Sequence, residues 1–473
     1  MANSEKHGMM SLSGLSRYCS GNYHGDRRED RFGRMFGELP PAYVEQSRLS
    51  AAGLPGGPMD SGAQKHKTSS VPVGMVFFGQ FVDHDITLDA TTSFRQVVQD
   101  AGAIPNVRTP TLDLDCIYGL GPEAEPFLYT DAADDFRGVK LLTGADSGAG
   151  GLADSDLARA ANGRAIIGDP RNDENRIVSQ IQLAMIRFHN HVAETLHGEE
   201  PGLRRAALYE EARRITSWHY QHAVVFDFLK AMCGGAVVED ILGCGRKFYC
   251  GGIPYIPVEF SVAAYRFGHS MIPQKIQVQK NGAKHDLFGA ILGSGFKPLA
   301  SADGVVDFHE LFETSANRSV ERTDRLDTKL VSILLDLPFV DSTDPNERSL
   351  AVRNLMRGNA FLLPGGEKVA GHIGRSQAEI DKVQDKIEDL GLSRKGIPLW
   401  LYILAEAEEI GRESANGGFD KGEGLGPVGA RIVAETIIGL LELDDHSFLG
   451  ANRNFVPRDE WNDIGKILTV AQP

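Results

Sequence analysis

An excess of positive charge, a usable set of cysteine pairs and any long apolar run are all missing from this 473-residue chain. Acidic residues outnumber basic ones 64 to 49, a formal charge of -15, whereas nucleic-acid binding needs clustered Lys and Arg to displace counterions. Nucleic acid is therefore excluded as a partner. The basic residues Arg204, Arg205, Arg213 and Arg214 sit beside Glu210 and Glu211 and read as a solvated helix face. The five cysteines, Cys19, Cys116, Cys233, Cys244 and Cys250, are odd in number and contain no Cys-x-x-Cys pair. That excludes both a disulfide framework and a zinc site. The opening MANSEKHGMMSLSGLS has no basic region followed by an apolar run, and no stretch reaches the ~20 residues of a membrane span. A cytoplasmic location, or export without a classical signal, is the expectation. Internal repeats and sustained heptads are absent too, and strand signals are few and short.

What is present is ordinary globular composition, 42% hydrophobic and 24% charged. Length alone allows about three average domains or one large helical enzyme. Residues 1–70 are rich in Gly, Pro, Ser and charge and read as an arm wrapped on a body formed by residues 71–473. Long stretches of helical spacing punctuated by Gly and Pro make the fold class mainly α. They include residues 203–232, LDTKLVSILLDLP, RSLAVRNLMRGNAFLLPGGEKVA, PLWLYILAEAEEIG and LGPVGARIVAETIIGLLEL.

The central stretch is GMVFFGQFVDHDITLDAT, Gly74 to Thr91. The apolar spacing predicts a helix over Met75–Asp85, on which Gln80, Asp83 and His84 share one face because residues three and four apart meet there. Asp85 points elsewhere, so one helix can serve a catalytic site and a metal site at once. A His flanked by two Asp is also a common hydrogen-bonded structural histidine, and the stretch alone leaves both readings open.

Three further stretches bear on that choice. In TPTLDLDCIYG, Thr109 to Gly119, the residues Thr109, Thr111, Asp113 and Asp115 alternate along an extended chain and bring four oxygen-bearing side chains to one side. Hard cations want such a set, though it lacks EF-hand spacing and also fits a polar strand edge. GDPRNDEN, Gly168 to Asn175, puts Arg171 and Glu174 at the entrance of a long apolar helix, as site residues or as surface caps. The tripeptide His189-Asn190-His191 lies mid-helix, where neighbours diverge, which argues against a nuclease metal finger. In IPVEFSVAAYRFGHSMIPQKI an apolar helix carries Arg266 and His269 in its last turns, and Gly268 leaves room for something flat and large.

With those stretches in view the chain resembles the animal-type haem peroxidases of the peroxidase-cyclooxygenase superfamily, most closely their short bacterial members. The match runs in order through GQFVDHD, TLDLDCIYG, GDPRNDEN with FHNHVAE, LYEEARRI, AAYRFGHSMI, RNLMRGNAFLLPGG and LGPVGARIVAE, over roughly residues 70–450. The resemblance implies a single large helical domain with haem b between central helices and few short strands. It implies hydrogen peroxide as oxidant, a ferryl intermediate, and small anionic or aromatic donors. By motif position His84 matches the distal histidine, Gln80 the distal glutamine, Arg171 the distal arginine, His269 the proximal iron ligand and Asn354 its hydrogen-bond partner. Asp83 and Glu174 match the carboxylates that in many members form ester bonds to haem. Asp85, Thr109, Thr111, Asp113 and Asp115 match a calcium site, and Arg266 and Arg357 match arginines near the haem propionates.

Departures from the pattern sharpen the expectation. Mammalian members that link haem through a sulfonium carry Met one residue after the ester-forming Glu, where this chain has Asn175. That implies iodide, bromide, thiocyanate or phenols as donors in preference to chloride. Asp115 stands where many relatives have Ser. Rival readings are a fatty-acid dioxygenase of the same superfamily, which places a tyrosine three residues before the proximal histidine where this chain has Arg266, a catalase-like enzyme, and a non-catalytic haem-binding or haem-sensing protein. A helical scaffold without cofactor is the blandest.

Overall fold

The structure, a computed structural model, describes residues 32–88, 97–98, 100–101, 104, 106–147, 152–316, 318–470 and 472. The start of the arm, Cys19 and the middle of the Gly-rich loop near residue 150 lie outside the described residues.

The fold is mainly α. Helices of eight or more residues are α1 (Gln46–Gly53), α2 (Gly74–Ile86), α3 (Arg176–Glu199), α4 (Arg205–Ala223), α5 (Gly235–Cys244), α6 (Leu350–Ala360), α7 (Gln377–Asp389), α8 (Leu399–Glu409) and α9 (Pro427–Glu442). The strands pair two by two: Phe32–Gly33 with Ile256–Pro257, Lys67–Pro72 with Arg322–Asp324, Lys275–Gln277 with Lys284–Asp286, and Arg412–Glu413 with Phe419–Asp420. None is long enough to organise a layer, so the core is built by helix packing.

Helix α2 is the hub. It is apolar all round, as a helix enclosed by others must be, and within it only Gln80 and Asp83 keep accessible surface. It packs against α3, against the turn following α4, and against the short helix Gly268–Met271. Two glycines permit close approach: a Cβ at Gly74 would overlap the Phe312 ring, and one at Gly79 would stand 2.8 Å from the Phe228 ring. Helix α3 lies along α4 and begins where the Asn175 side chain accepts from Val178 N, an N-cap worth about 1 kcal/mol.

The described part of the arm is woven into this body. The Met35 and Phe36 amides donate to the buried Glu259 carboxylate, and α1 packs on α6.

Four expectations are corrected. The 203–232 helix starts at Arg205 and passes through a π-helical turn, Val224–Leu229, before ending at Cys233. Arg213 is not on a solvated face: its guanidinium lies over the Tyr118 ring, 5.4 Å from the centroid, while Arg214 does pair with Glu211 at 2.6 Å. LDTKLVSILLDLP is not helical but extended, because Leu330 exchanges backbone bonds with Met59 and Ser61, leaving only the 3-10 turn Ser332–Leu334. The stretch before Pro273 is a π-helical turn, Glu259–Ala263, then a 3-10 turn, Ala264–Phe267, then Gly268–Met271. Such breaks re-aim side chains, and here the re-aimed ones are Arg266 and His269.

Candidate active site

The sequence of α2 leaves two polar side chains with accessible surface, and both border one cleft. The Gln80 amide nitrogen donates to Glu174, and the Asn175 amide donates to Gln80 Oε1 across 3.3 Å. Glu174 retains accessible surface, yet burial, opposed by the Arg171 charge, pushes its carboxyl up to about 7. Asp83 borders the same side of α2 and is held to its own helix by Thr87 Oγ1 at 2.9 Å.

His84 is buried beside them. Its Nδ1 lies 2.7 Å from Asn172 Oδ1, and the Asn172 amide donates in turn to Gln182 Oε1 at 2.8 Å. An amide oxygen can only accept, so the His84 proton sits on Nδ1 and Nε2 is left as a bare base. Burial, helped by the Arg171 charge, lowers His84 to about 4, so the ring is neutral through the physiological range.

Arg171 follows Pro170 in a 3-10 turn whose N-cap, Asp169, accepts from Arg171 N. The same carboxylate holds the guanidinium through Nη2 at 2.8 Å, and Nη2 also donates to His84 O at 2.9 Å. Asp169 is fully buried and shared with Arg108, whose Nη2 is 2.8 Å away. Burial alone would raise this carboxyl; the hydrogen bond and charge of Arg171 and the charge of Arg108 outweigh it and hold Asp169 below the usual range.

His269 approaches the face of α2 that carries Gln80 and Asp83, one turn earlier, at Val76. Val76 faces Gly268, 3.5 Å from where a Cβ would stand, so the His269 turn rests directly on the His84 helix. Asn354 Nδ2 lies 2.8 Å from His269 Nδ1, and Arg266 Nη1 donates to Asn354 Oδ1 across 3.4 Å. Iron ligation through Nε2 would require the opposite amide orientation, oxygen towards Nδ1, an exchange of N and O that gives up the 3.4 Å bond from Arg266. Burial and the nearby Arg266 and Arg353 charges lower His269 to about 3, so the ring is neutral, with one nitrogen carrying a proton and the other bare. Arg266 is further fixed by donation to Ser261 O at 3.0 Å, and Arg357 is half-buried one turn beyond Asn354 on α6.

On the far side of α2, Asp85, Asp113 and Asp115 bring carboxylate oxygens within 4.8 Å of one another. Thr109 Oγ1 donates to Asp113 at 3.1 Å, and Thr111 sits in the same loop. The expected extended alternation is replaced by bends and by Leu114 at φ 59°, a left-handed residue that turns Asp115 inward. Asp85 Oδ1 is buried with no hydrogen-bond partner. Burial, with the charges of Asp115 and Asp113, raises Asp85 well above its ordinary value, and burial raises Asp115 to about 7. An orphan carboxylate oxygen facing two more carboxylates fits a hard cation. Arg108 spans from Asp115 at 3.2 Å to Asp169, joining this cluster to Arg171.

The donor set also fits haem: a neutral imidazole with an orienting amide, a second neutral imidazole with a fixed arginine, two carboxylates at the cleft, and further arginines by the first imidazole. A model for animal haem peroxidases matches residues 99–379, more than half of the chain. The chain belongs to the animal haem peroxidase family. This animal haem peroxidase is 30% identical over 190 residues to the chorion peroxidase of Drosophila melanogaster, covering 38% of this chain and 23% of that protein. It is 26% identical over 265 residues to the thyroid peroxidase of Homo sapiens, 51% of this chain and 27% of that one. The chain thus spans about a quarter of the length of these curated relatives. In fold it is similar to peroxidase A of Dictyostelium discoideum, with a TM-score of 0.63, 16% identity and 95% of each chain covered. A fatty acid alpha-dioxygenase of Arabidopsis thaliana gives 0.58 at 16% identity, covering 94% of this chain and 76% of that one.

Sequence reasoning missed Asn172, Asp169, Gln182 and Arg108, the residues that hold the others. One signal was available: GDPRNDEN is longer and more polar than a single helix cap requires, and Asp169, Asn172 and Asp173 are buried.

Proposed function

We propose that this chain is a haem peroxidase that reduces hydrogen peroxide and oxidises small donors: iodide, bromide, thiocyanate or phenols. The observation that carries this reading is that His84, neutral and bare at Nε2, and the Asp169-anchored Arg171 are tied to each other by the bond from Arg171 to His84 O. A haem carrier or sensor has no use for that pair. When bound, haem supplies the iron that exchanges electrons with peroxide. His84 Nε2 takes the proton from one peroxide oxygen and returns it to the other, the departing one, a shuttle typically worth ~10²–10⁴ in rate. Arg171 holds a fixed positive charge where negative charge gathers as the O–O bond opens. Gln80, fixed from both ends by Glu174 and Asn175, presents its amide to water or halide.

In the same reading His269 ligates iron and Asn354 orients its ring. Asp83 and Glu174 would be the carboxylates that form ester bonds to haem, and Arg266 and Arg357 the cations that would pair with its propionates. Calcium is held by Asp85, Thr109, Thr111, Asp113 and Asp115, with Thr111 offering its carbonyl. Residues 71–473 form one catalytic domain with the first 70 as an arm. The enzyme is of the short bacterial kind and serves the response to oxidative stress, in the cytoplasm or exported without a classical signal. No helix among the described residues is long and apolar enough to cross a membrane.

The dioxygenase reading is weaker at one place. Tyr265 donates to Gly79 O at 3.1 Å and packs between Phe228 and Phe260, so its hydroxyl is tied to the α2 backbone. The position three before His269 is Arg266. The test is His84→Ala: haem should be retained and peroxidase turnover should fall ~10²–10⁴-fold. Unchanged turnover removes the role given to His84 and the proposal with it.

A further inference from the structure

We propose that Tyr118 is an internal redox site, a phenol that gives one electron to the haem after hydrogen peroxide has oxidised it, and that hands its proton to His189. The inference rests on the peroxidase reading above and adds a second electron source, used when no small donor is at hand.

Tyr118 ends the helical turn Asp115–Tyr118 and is completely buried. Its hydroxyl lies 3.0 Å from Nδ1 of His189, itself fully buried in the middle of α3. The other ring nitrogen, Nε2, is 2.9 Å from Val139 O. A carbonyl can only accept, so the proton of the neutral ring is on Nε2 and Nδ1 is the acceptor of the Tyr118 O–H. Burial lowers His189 to about 4, which keeps that acceptor free.

The surroundings make electron loss depend on this proton transfer. With Tyr118 fully buried, the base within hydrogen-bond reach of the hydroxyl among the described residues is His189. The Arg213 guanidinium, 5.4 Å from the ring centroid, is a fixed cation that opposes a net positive charge on the phenol. Moving the proton as the electron leaves removes that conflict. The O–H bond of Tyr118 breaks, an N–H bond forms at His189 Nδ1, and the electron goes to the oxidised haem. A later donor returns the electron, and the proton goes back along the same hydrogen bond. Tyr129 and Tyr209 extend the site: their hydroxyls are 3.3 Å apart, Tyr129 donates to Tyr118 O at 2.7 Å, and the Tyr209 ring lies 6.2 Å from that of Tyr118.

A short hydrogen-bonded route joins this cluster to the cleft. His84 contacts Asn172 at 2.7 Å, Asn172 donates to Gln182 at 2.8 Å, and Gln182 donates to Cys116 O at 3.2 Å, two residues before Tyr118.

The test uses the haem-loaded full chain, mixed with one equivalent of hydrogen peroxide without donor, frozen, and measured by absorption and electron paramagnetic resonance. The expected result is a radical signal that narrows when tyrosine is ring-deuterated and is lost in Tyr118→Phe. In His189→Gln the haem should respond to peroxide as before while the tyrosyl signal is lost. If Tyr118→Phe takes up no haem, His189→Gln decides. A haem spectrum that responds to peroxide with no tyrosyl signal, or with one that survives either variant at full yield, overturns the proposal and leaves the peroxidase reading intact. A haem spectrum that does not respond overturns both.

Discussion

His84 Nδ1 and Asn172 Oδ1 are 2.7 Å apart, and this one contact decides which nitrogen of the imidazole faces the cleft as a base. Asn172→Leu removes the acceptor at similar volume. The expected outcome is unchanged haem content and a rate of reaction with peroxide lowered ~10–100-fold, the usual cost of losing an orienting partner. Stopped-flow absorption of the loaded variant measures it. A rate equal to that of the unaltered chain would remove the role assigned to this pair.

The same histidine sets the acid limit of activity. Burial favours its neutral form, so its pKa is depressed to about 4 from 6.5. The unfolded chain binds this proton more readily than the folded one, so the group's contribution to stability is present above pH 6.5 and is lost as pH falls towards 4. The base form survives over the same range. The rate of reaction with peroxide is expected to stay level from pH 8 to 5 and to fall with a midpoint near 4; a midpoint near 6.5 contradicts the buried environment.

Arg171→Gln removes the fixed charge and leaves Asp169 with Arg108 as its remaining partner. Activity should fall ~10²–10³-fold, the scale for a lost transition-state donor. Thermal stability should fall as well, because a fully buried carboxylate loses one of two cations. Arg171→Lys should recover only part of the rate, since the ammonium lacks the fork that contacts Asp169 and His84 O together.

Much of this was legible in the sequence because the chemistry-bearing residues fall in short collinear stretches. The face shared by Gln80 and Asp83, the convergence of Asp85 with Asp113 and Asp115, and the divergence of His189 from Asn190 and His191 all follow from helical or loop geometry within one stretch. What was not legible depends on distant partners. Arg213 looked solvated because its charge neighbours on α4 are acidic, yet it packs over Tyr118 from another element. LDTKLVSILLDLP has helical spacing, but Met59 and Ser61 capture the backbone of Leu330. The break of the His269 stretch into π and 3-10 turns has no signature in its apolar residues. Residues 1–31 of the arm lie outside the described residues.

Removal of the proposed calcium should loosen both sides of α2. With the cation gone, three carboxylates within 4.8 Å repel one another and Asp85 Oδ1 is left without a partner, one residue from His84. A ligand present at ~100 Kd stabilises by about 2.7 kcal/mol, so a chelator should lower the melting temperature by several degrees and slow the reaction with peroxide. Asp113→Asn should weaken calcium binding in a titration. A chelator that moves neither quantity means the cluster does not hold a cation.

The Lys65 ammonium, buried, is bound to Asp327 at 2.7 Å and donates to Ser270 O at 2.7 Å, next to His269. Lys65→Met leaves Asp327 with the Lys329 amide but without its cation, takes the Lys65 donor from Ser270 O, and should cost about 3 kcal/mol of stability. Denaturant unfolding of the haem-loaded protein checks this, and a change below about 0.5 kcal/mol would show that the lysine is not a staple of the His269 turn.

The most direct test is the absorption spectrum of the haem-loaded full chain before and after one equivalent of hydrogen peroxide, followed by iodide. The haem band should shift on peroxide and return on iodide, with iodine formed in proportion. If haem binds but peroxide leaves the band unchanged, the cleft is a carrier or sensor, and the assignments of His84, Arg171 and Gln80 fall together.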